Sequence, residues 1–192
     1  VYNTTGEAQG IDVVLREAYV ADGSRGLRVI DISDPDAPNE IGARDTPGNA
    51  RGVVVVNGYA YVSDGVNGVR IIDVVESGDP VAQSDLAAAG LALSVAGAGN
   101  YALVGEEHFG LRVYDIANHA NPQPAGLLAL SGRILDILVD GGRATGAKCI
   151  VVGAVGGCHA GARAHHRAHR DLCVLLGDVL VDAVAGEARQ RR

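Results

Sequence analysis

The sequence predicts an all-β fold assembled from repeated units of 42 residues. One marker, Gly-apolar-Arg followed by two apolar or aromatic residues, Asp and an apolar residue, occurs at 26–32, 68–74 and 110–116. A second marker, Ala-Tyr-Val or Ala-Leu-Val, occurs at 18–20, 60–62 and 102–104. A third, Thr-x-Gly-x-Ala, begins at Thr4 and Thr46, with Gly90, Ala92 and Gly132 continuing its phase. Three markers on one period indicate a repeat architecture.

Each unit holds four short strand-like runs, as the second unit shows. Its first run is Gly52 to Val56, apolar throughout, which predicts a strand buried on both faces. Asn57-Gly58 is a hairpin signal, and Tyr59 to Ser63 follows it. Val69 to Val74 is the third run, and the more polar Val81 to Ala87 is the fourth. A period in the low forties with four strands per unit is typical of propeller blades, whose first strand borders the axis.

The predicted fold class is therefore a partial β-propeller of 42-residue, four-stranded blades, with an irregular or poorly folded C-terminal tail. We place the units at about 10–51, 52–93 and 94–135, with an incomplete fourth from 136. Closed propellers contain about four to eight blades. We therefore expect the full-length protein to continue in both directions.

The repeat phase ends abruptly after Ala144, so residues 1–144 and 145–192 are treated as separate regions. Val-Gly-Ala-Val-Gly-Gly stands at 152–157, where Gly-Leu-Arg-Val-Ile-Asp is due. The first region has nine arginines against nineteen acidic residues, a net charge of −10, whereas the tail has a net charge of +3. Our hypothesis is that the tail is translated out of frame from a GC-rich gene. Reading the DNA in its other two frames tests it.

The run at 26–38, with Ala-Tyr-Val-Ala-Asp-Gly at 18–23 before it, resembles the LVIVD repeat family over about residues 3–144. The resemblance weakens in the third unit, at 106–108 and 118–119. It implies a β-propeller of the kind found in bacterial and archaeal proteins, many of them exported or surface-attached. The family has no assigned catalytic residues, so the resemblance implies none here.

The acidic charge of residues 1–144 argues against nucleic acid as a partner, because phosphate binding requires a basic surface. No run reaches the roughly 18 apolar residues that a membrane span needs. The repeat region has no cysteine, which is compatible with an oxidising or a reducing compartment.

The tail contains residue types that bind metals. They are Cys149, Cys158, His159, His165, His166, His169 and Cys173. The cysteines stand nine and fifteen residues apart, without the paired short spacings of zinc sites, although His165 and His169 would share one helix face. We therefore predict no metal site and no cofactor, and interpret these residues as out-of-frame translation.

Recurrent aspartates invite a calcium interpretation. Asp31, Asp73 and Asp115 occupy one position of the repeat, and Asp34 and Asp36 follow in the first unit. Calcium loops use alternating acidic positions around a glycine, which is absent here. The same residues cap strand ends in Asx turns. We expect structural turns, with calcium as the alternative.

We predict no catalytic residue in the repeat region. None of its serines lies in a Gly-x-Ser-x-Gly sequence, and no Walker-type loop is present. His108 and His119 stand in loops of one unit without counterparts in the others, and we expect both to be solvated. Recurring arginines usually serve packing or salt bridges. They are Arg28, Arg70 and Arg112.

These features favour a non-enzymatic module of an exported or cell-surface protein that binds a protein or glycan through its loops. One alternative is a non-catalytic fragment of a propeller-containing hydrolase or lyase, whose catalytic groups lie in other blades or domains. Another is a calcium-stabilised spacer. Propeller architecture does not distinguish among them, because function resides in sites carried by the fold.

Overall fold

The computed structural model describes residues 1–130, 132–140, 143–150 and 172–174. All regular elements in these segments are β-strands, which confirms the all-β fold class. Among these residues there is no helix long and apolar enough to cross a membrane.

The strands form three four-stranded antiparallel sheets, which we call blades 1 to 3, and a three-stranded fourth sheet. Blade 1 contains β1 (Gly10–Val14), β2 (Glu17–Ala21), β3 (Leu27–Asp31) and β4 (Asn39–Arg44). Blade 2 contains β5 (Gly52–Val56), β6 (Tyr59–Ser63), β7 (Val69–Asp73) and β8 (Val81–Leu86). Blade 3 contains β9 (Ala92–Ala98), β10 (Tyr101–Glu106), β11 (Gly110–Asp115) and β12 (Gln123–Leu128). The fourth sheet contains β13 (Arg133–Asp140), β14 (Arg143–Ile150) and β15 (Leu172–Val174).

The hairpin predicted at Asn57-Gly58 joins β5 to β6. Both residues have positive φ, 52° and 80°, as a two-residue type I′ connection requires. The pairing of the third and fourth strands contains a register shift, which occurs at the same repeat position in each blade. It lies at Val29/Ile30, Ile71/Ile72 and Val113/Tyr114. A bulge of this kind bends the outer strand and increases its twist.

The first strands of successive sheets (β1, β5, β9 and β13) lie beside one another, and the fourth strands are largely exposed. This is the arrangement of propeller blades around an axis. The prediction that Gly52 to Val56 is buried on both faces is wrong, because only Val53 in β5 is buried. The second strand is the most buried, as Ala60 to Ser63 show. The second strand pairs with a strand on each side and packs against the apolar surface of a neighbouring blade. By contrast, the edge of β5 that faces the axis is unpaired among the described residues.

Apolar side chains fill the spaces between successive sheets. Tyr19 and Leu27 of blade 1 pack against Val62 and Ile72 of blade 2. Analogous clusters join blade 2 to blade 3 and blade 3 to the fourth sheet. Stability in such an array is a sum of blade terms and nearest-neighbour terms. Each blade therefore depends directly on the blades beside it.

The fourth sheet spans the point at which the repeat phase ends. β14 pairs with β13 through Ile150, and Cys149 stands opposite Cys173 of β15 in the backbone register. Among the described residues, blade 3 is the last four-stranded sheet. Most of residues 145–192, including Cys158 and the tail histidines, lies outside the described residues. The predictions that these residues bind no metal and are translated out of frame therefore concern residues that the structure does not describe.

Substitution of two glycines tests how closely the strands approach one another. Gly68 and Gly99 both have positive φ, 76° and 59°. A Cβ on Gly68 would overlap the carbonyl oxygen of Leu86, whereas a Cβ on Gly99 would meet nothing within 4 Å. Gly99→Ala should lower the free energy of unfolding by about 1–2 kcal/mol, the cost of the left-handed conformation alone. Gly68→Ala should cost clearly more, since the β8 backbone must also move. Urea denaturation measures both, and equal losses would contradict the described packing.

Candidate functional site

The loops between the second and third strands form the candidate site. They span 22–26, 64–68 and 107–109, at equivalent positions of the repeat. Backbone bridges join Gly23 to Ala50 and Gly65 to Ala92, so each of these two loops contacts the start of the next blade. The loop tips are exposed and differ in chemistry. They are Ser24-Arg25, Val66-Asn67 and His108-Phe109.

A buried carboxylate anchors the base of each loop. Asp22, Asp64 and Glu106 are spaced by 42 residues, and all three are fully buried. Their oxygens accept backbone N–H groups from the segment preceding the first strand of the same blade. The donors are Gly6 at 2.9 Å, Gly48 at 2.9 Å, Ala89 at 3.2 Å and Gly90 at 3.3 Å. The carboxylate therefore joins the loop to the chain that enters the blade.

Blade 2 shows why the sequence repeats Thr-x-Gly. Thr46 Oγ1 donates to Asp64 Oδ1 at 2.6 Å, while the Gly48 N–H donates to Oδ2. A Cβ on Gly48 would overlap the Asp64 carbonyl oxygen, so no other residue fits at this approach. Burial raises the pKa of Asp64, although both hydrogen bonds act in the opposite direction.

Blade 3 uses a longer acid and an arginine. The Arg112 Nε–H donates to Glu106 Oε1 at 2.8 Å, and this ion pair raises the pKa of Arg112. The next residue, Glu107, pairs with Arg133 of β13 at 3.0 Å. His108 follows with a positive φ of 66°, and its N–H donates to the Gly132 carbonyl. These contacts attach the blade 3 loop to the start of the fourth sheet.

The sequence analysis did not single out these acidic residues and missed the carboxylate contacts. The sequence feature that could have revealed them is the acidic residue at 22, 64 and 106. This acid is kept in all three units, whereas the glycine that follows it is absent from the third. The partner N–H groups lie sixteen or seventeen residues earlier. Their proximity depends on how one blade follows the last, which a pattern of side chains does not reveal.

The recurring arginines form salt bridges within their blades, as predicted. Arg28 pairs with Asp45 at 2.6 Å, and Arg70 pairs with Asp85 at 2.8 Å across β7 and β8. Arg112 instead pairs with Glu106 of the neighbouring β10. The arginine position is constant while its partner changes.

The recurring aspartates form Asx turns, which confirms the structural interpretation. Asp31, Asp73 and Asp115 each accept the backbone N–H of the residue two positions later, at 2.8, 3.0 and 2.9 Å. Asp34 does the same with Asp36 at 3.0 Å. The Ser33 N–H lowers the pKa of Asp31. Within the described part of the chain, no three His, Cys, Asp or Glu side chains are placed to hold a metal ion.

The two loop histidines differ in environment. His108 is exposed, as expected, with 71% of its side chain accessible. The expectation for His119 is wrong, because its ring stacks on Tyr59 of blade 2 with centroids 4.0 Å apart and an interplanar angle of 19°. Its Nδ1 lies 2.5 Å from the Tyr61 hydroxyl, and its carbonyl accepts Ser84 Oγ at 2.7 Å. Burial lowers the pKa of His119.

Comparison with known proteins identifies the repeat. The LVIVD repeat family matches residues 5–46, 47–88 and 89–127, so the chain belongs to that family. The fold resembles the computationally designed Ika8 protein, with a TM-score of 0.58 at 7% identity over 74% of this chain. It also resembles the designed Ika4 protein, with a TM-score of 0.59 at 10% identity over 78% of this chain. The aligned parts cover 43% of the Ika8 chain and 88% of the Ika4 chain. No curated protein matches the sequence.

Substitutions at Asp64 test the anchor. Asp64→Ala leaves the Gly48 N–H and the Thr46 hydroxyl without their acceptor and should cost about 2–3 kcal/mol. Asp64→Asn retains one acceptor oxygen and should cost less.

Because the pKa of Asp64 is raised above 3.8, its ionisation removes stability as pH rises from 3.8 through the raised value. The stability of the Asn variant relative to wild type should therefore increase with pH across that window. Urea denaturation at several pH values measures this, and a constant difference would contradict it.

Two arginines provide a matched pair. Arg70→Ala should cost about 1 kcal/mol or less, because its partner Asp85 is half exposed. Arg112→Ala removes the cation from Glu106, whose side chain is buried, and should cost about 3 kcal/mol, the low end for stranding a buried charge. Thermal and urea denaturation compare the two. A larger loss for Arg70→Ala would show that Glu106 does not depend on Arg112.

Proposed function

We propose that this chain is a non-enzymatic binding module of an exported or cell-surface protein. Its ligand is a protein or glycan that contacts the loop tips of blades 1 to 3. The observation that carries the proposal is the contrast between the base of each loop and its tip. The base keeps a buried carboxylate in all three blades, whereas the tip residues have no common chemistry.

The tips offer the groups that binding surfaces use. Arg25 brings a guanidinium, Asn67 an amide, and Val66 an apolar side chain that is 77% exposed. Phe109, the single phenylalanine of the sequence, is 46% exposed beside His108. Large aromatic and arginine side chains supply most of the binding energy at protein interfaces. Loops on a rigid scaffold are also where binding residues concentrate.

The same geometry favours binding over chemistry. Both carboxylate oxygens of Asp64 accept hydrogen bonds, and so do both oxygens of Glu106. A general acid or base must reach a proton on its substrate. These buried acids instead bond to the protein's own backbone and side chains, so their role is to hold the loops. Membership in the LVIVD repeat family supports the exported or surface setting.

A double variant tests the proposed surface. Wild-type protein is applied to a glycan microarray and to a microarray of cell-surface proteins. Val66→Ser with Phe109→Ser should weaken every retained interaction at least tenfold, a loss of about 1.4 kcal/mol. The control is Val81→Ser with Leu127→Ser, which removes equally exposed apolar side chains (51% and 54%) from the outermost strands. Equal losses in both variants, or no retained ligand for the wild type on either array, would contradict the proposal.

A further inference from the structure

We propose that His119 forms a pH-sensitive contact between blades 2 and 3. The neutral ring holds the loop at 117–122 against blade 2, and protonation in mildly acidic solution releases that loop. This inference is independent of the proposed binding function, because the contact lies in a different loop, between β11 and β12.

The contact crosses from one blade to the next. His119 belongs to blade 3, whereas Tyr59 and Tyr61 lie on β6 and Ser84 lies on β8 of blade 2. The ring stacks on Tyr59, Nδ1 meets the Tyr61 hydroxyl, and the backbone carbonyl accepts from Ser84. Three independent interactions therefore converge on one loop residue.

The direction of the hydrogen bond between His119 and Tyr61 depends on the protonation state of the ring. When Nδ1 carries no proton it accepts the Tyr61 O–H, whereas in the imidazolium both ring nitrogens are donors. Protonation would therefore reverse the bond, with Nδ1–H donating to the Tyr61 oxygen, and the hydroxyl proton of Tyr61, a fully buried residue, would lose this acceptor. A buried donor that loses its acceptor is destabilising.

No charged side chain in the described part of the chain contributes to the pKa shift of His119. The titratable groups that face it are Tyr59 and Tyr61, and Ser84 meets the loop backbone. On its own segment, Asp115 accepts the Ala117 N–H. Stacking on Tyr59 favours a cation, yet the pKa of His119 is lowered, and burial is the cause.

The equivalent contact between blades 1 and 2 lacks a histidine. Ser77 occupies the position 42 residues before His119, and its hydroxyl donates to Glu17 Oε1 at 2.7 Å. Glu17 in turn occupies the position equivalent to Tyr59. The loop at 75–80 is thus an internal reference, since it makes the same interblade contact with a serine.

The direction of the pH effect follows from the lowered pKa. Neutral His119 is favoured in the folded protein, so its contribution to stability is complete above the ordinary value of 6.5. That contribution is lost as pH falls from 6.5 through the lowered pKa. Acidification from pH 7.5 to 5 should therefore loosen the loop at 117–122 and leave the loop at 75–80 unchanged.

Three variants and two measurements test the proposal on the full chain. In urea denaturation, wild type and His108→Ser should lose stability between pH 7.5 and 5 by the same amount, whereas His119→Ser should lose less. Tyr61→Phe should reduce the loss as well, because it removes the hydroxyl that needs the neutral ring. Hydrogen exchange, corrected for intrinsic rates, should show lower protection at 117–122 at pH 5 and no change at 75–80.

An NMR titration of the wild-type protein keeps the test independent of variant folding. The ring proton of His119 should titrate below 6.5, the ordinary value of a histidine, with its signal assigned from the His119→Ser variant. A titration of His119 at or above 6.5 would overturn the proposal. So would an unchanged acid sensitivity in His119→Ser, or equal loss of protection in both loops.

Discussion

Face-to-face packing of successive blades is the interaction on which the rest of the structure depends. Each blade presents an apolar surface to its neighbour, and residues such as Leu27, Val62 and Leu103 are buried in the resulting spaces. A four-stranded sheet alone could not bury both faces, so each blade is stable only when it packs against a neighbouring blade. The 42-residue period is the consequence, because each unit must present the same surfaces at the same positions.

Packing of the sheets alone would leave the conformation of the segments that connect the blades free to vary. The buried carboxylates of Asp22, Asp64 and Glu106 remove that freedom by accepting backbone N–H groups of the connecting segments. Each carboxylate has a backbone N–H partner in the segment that enters its own blade, while Asp22 Oδ1 has no partner among the described residues. The side chains at the loop tips beyond each anchor are exposed. Their variation, from Ser24-Arg25 to His108-Phe109, is compatible with a role in recognition.

The repeat made much of the fold predictable. Strand positions in blade 2, the Asn57-Gly58 turn and the Asx turns at Asp31 and its equivalents depend on neighbours within a few residues. Local geometry therefore determines them. The candidate site was less predictable, because the partners of Asp64 and of His119 come from distant parts of the chain. His119 in particular has no repeat equivalent of its own type, so periodicity carried no information about its contacts.

The sequence by itself determined the period, the number of strands in each unit and the end of the repeat phase after Ala144. These are properties of residue spacing and of local backbone preference. Only the tertiary structure decided which strand is most buried, which acids anchor the loops and which histidine contacts the preceding blade. Burial and long-range hydrogen bonds depend on how one sheet is placed against another. That placement is a property of packed surfaces, and a one-dimensional pattern does not specify it.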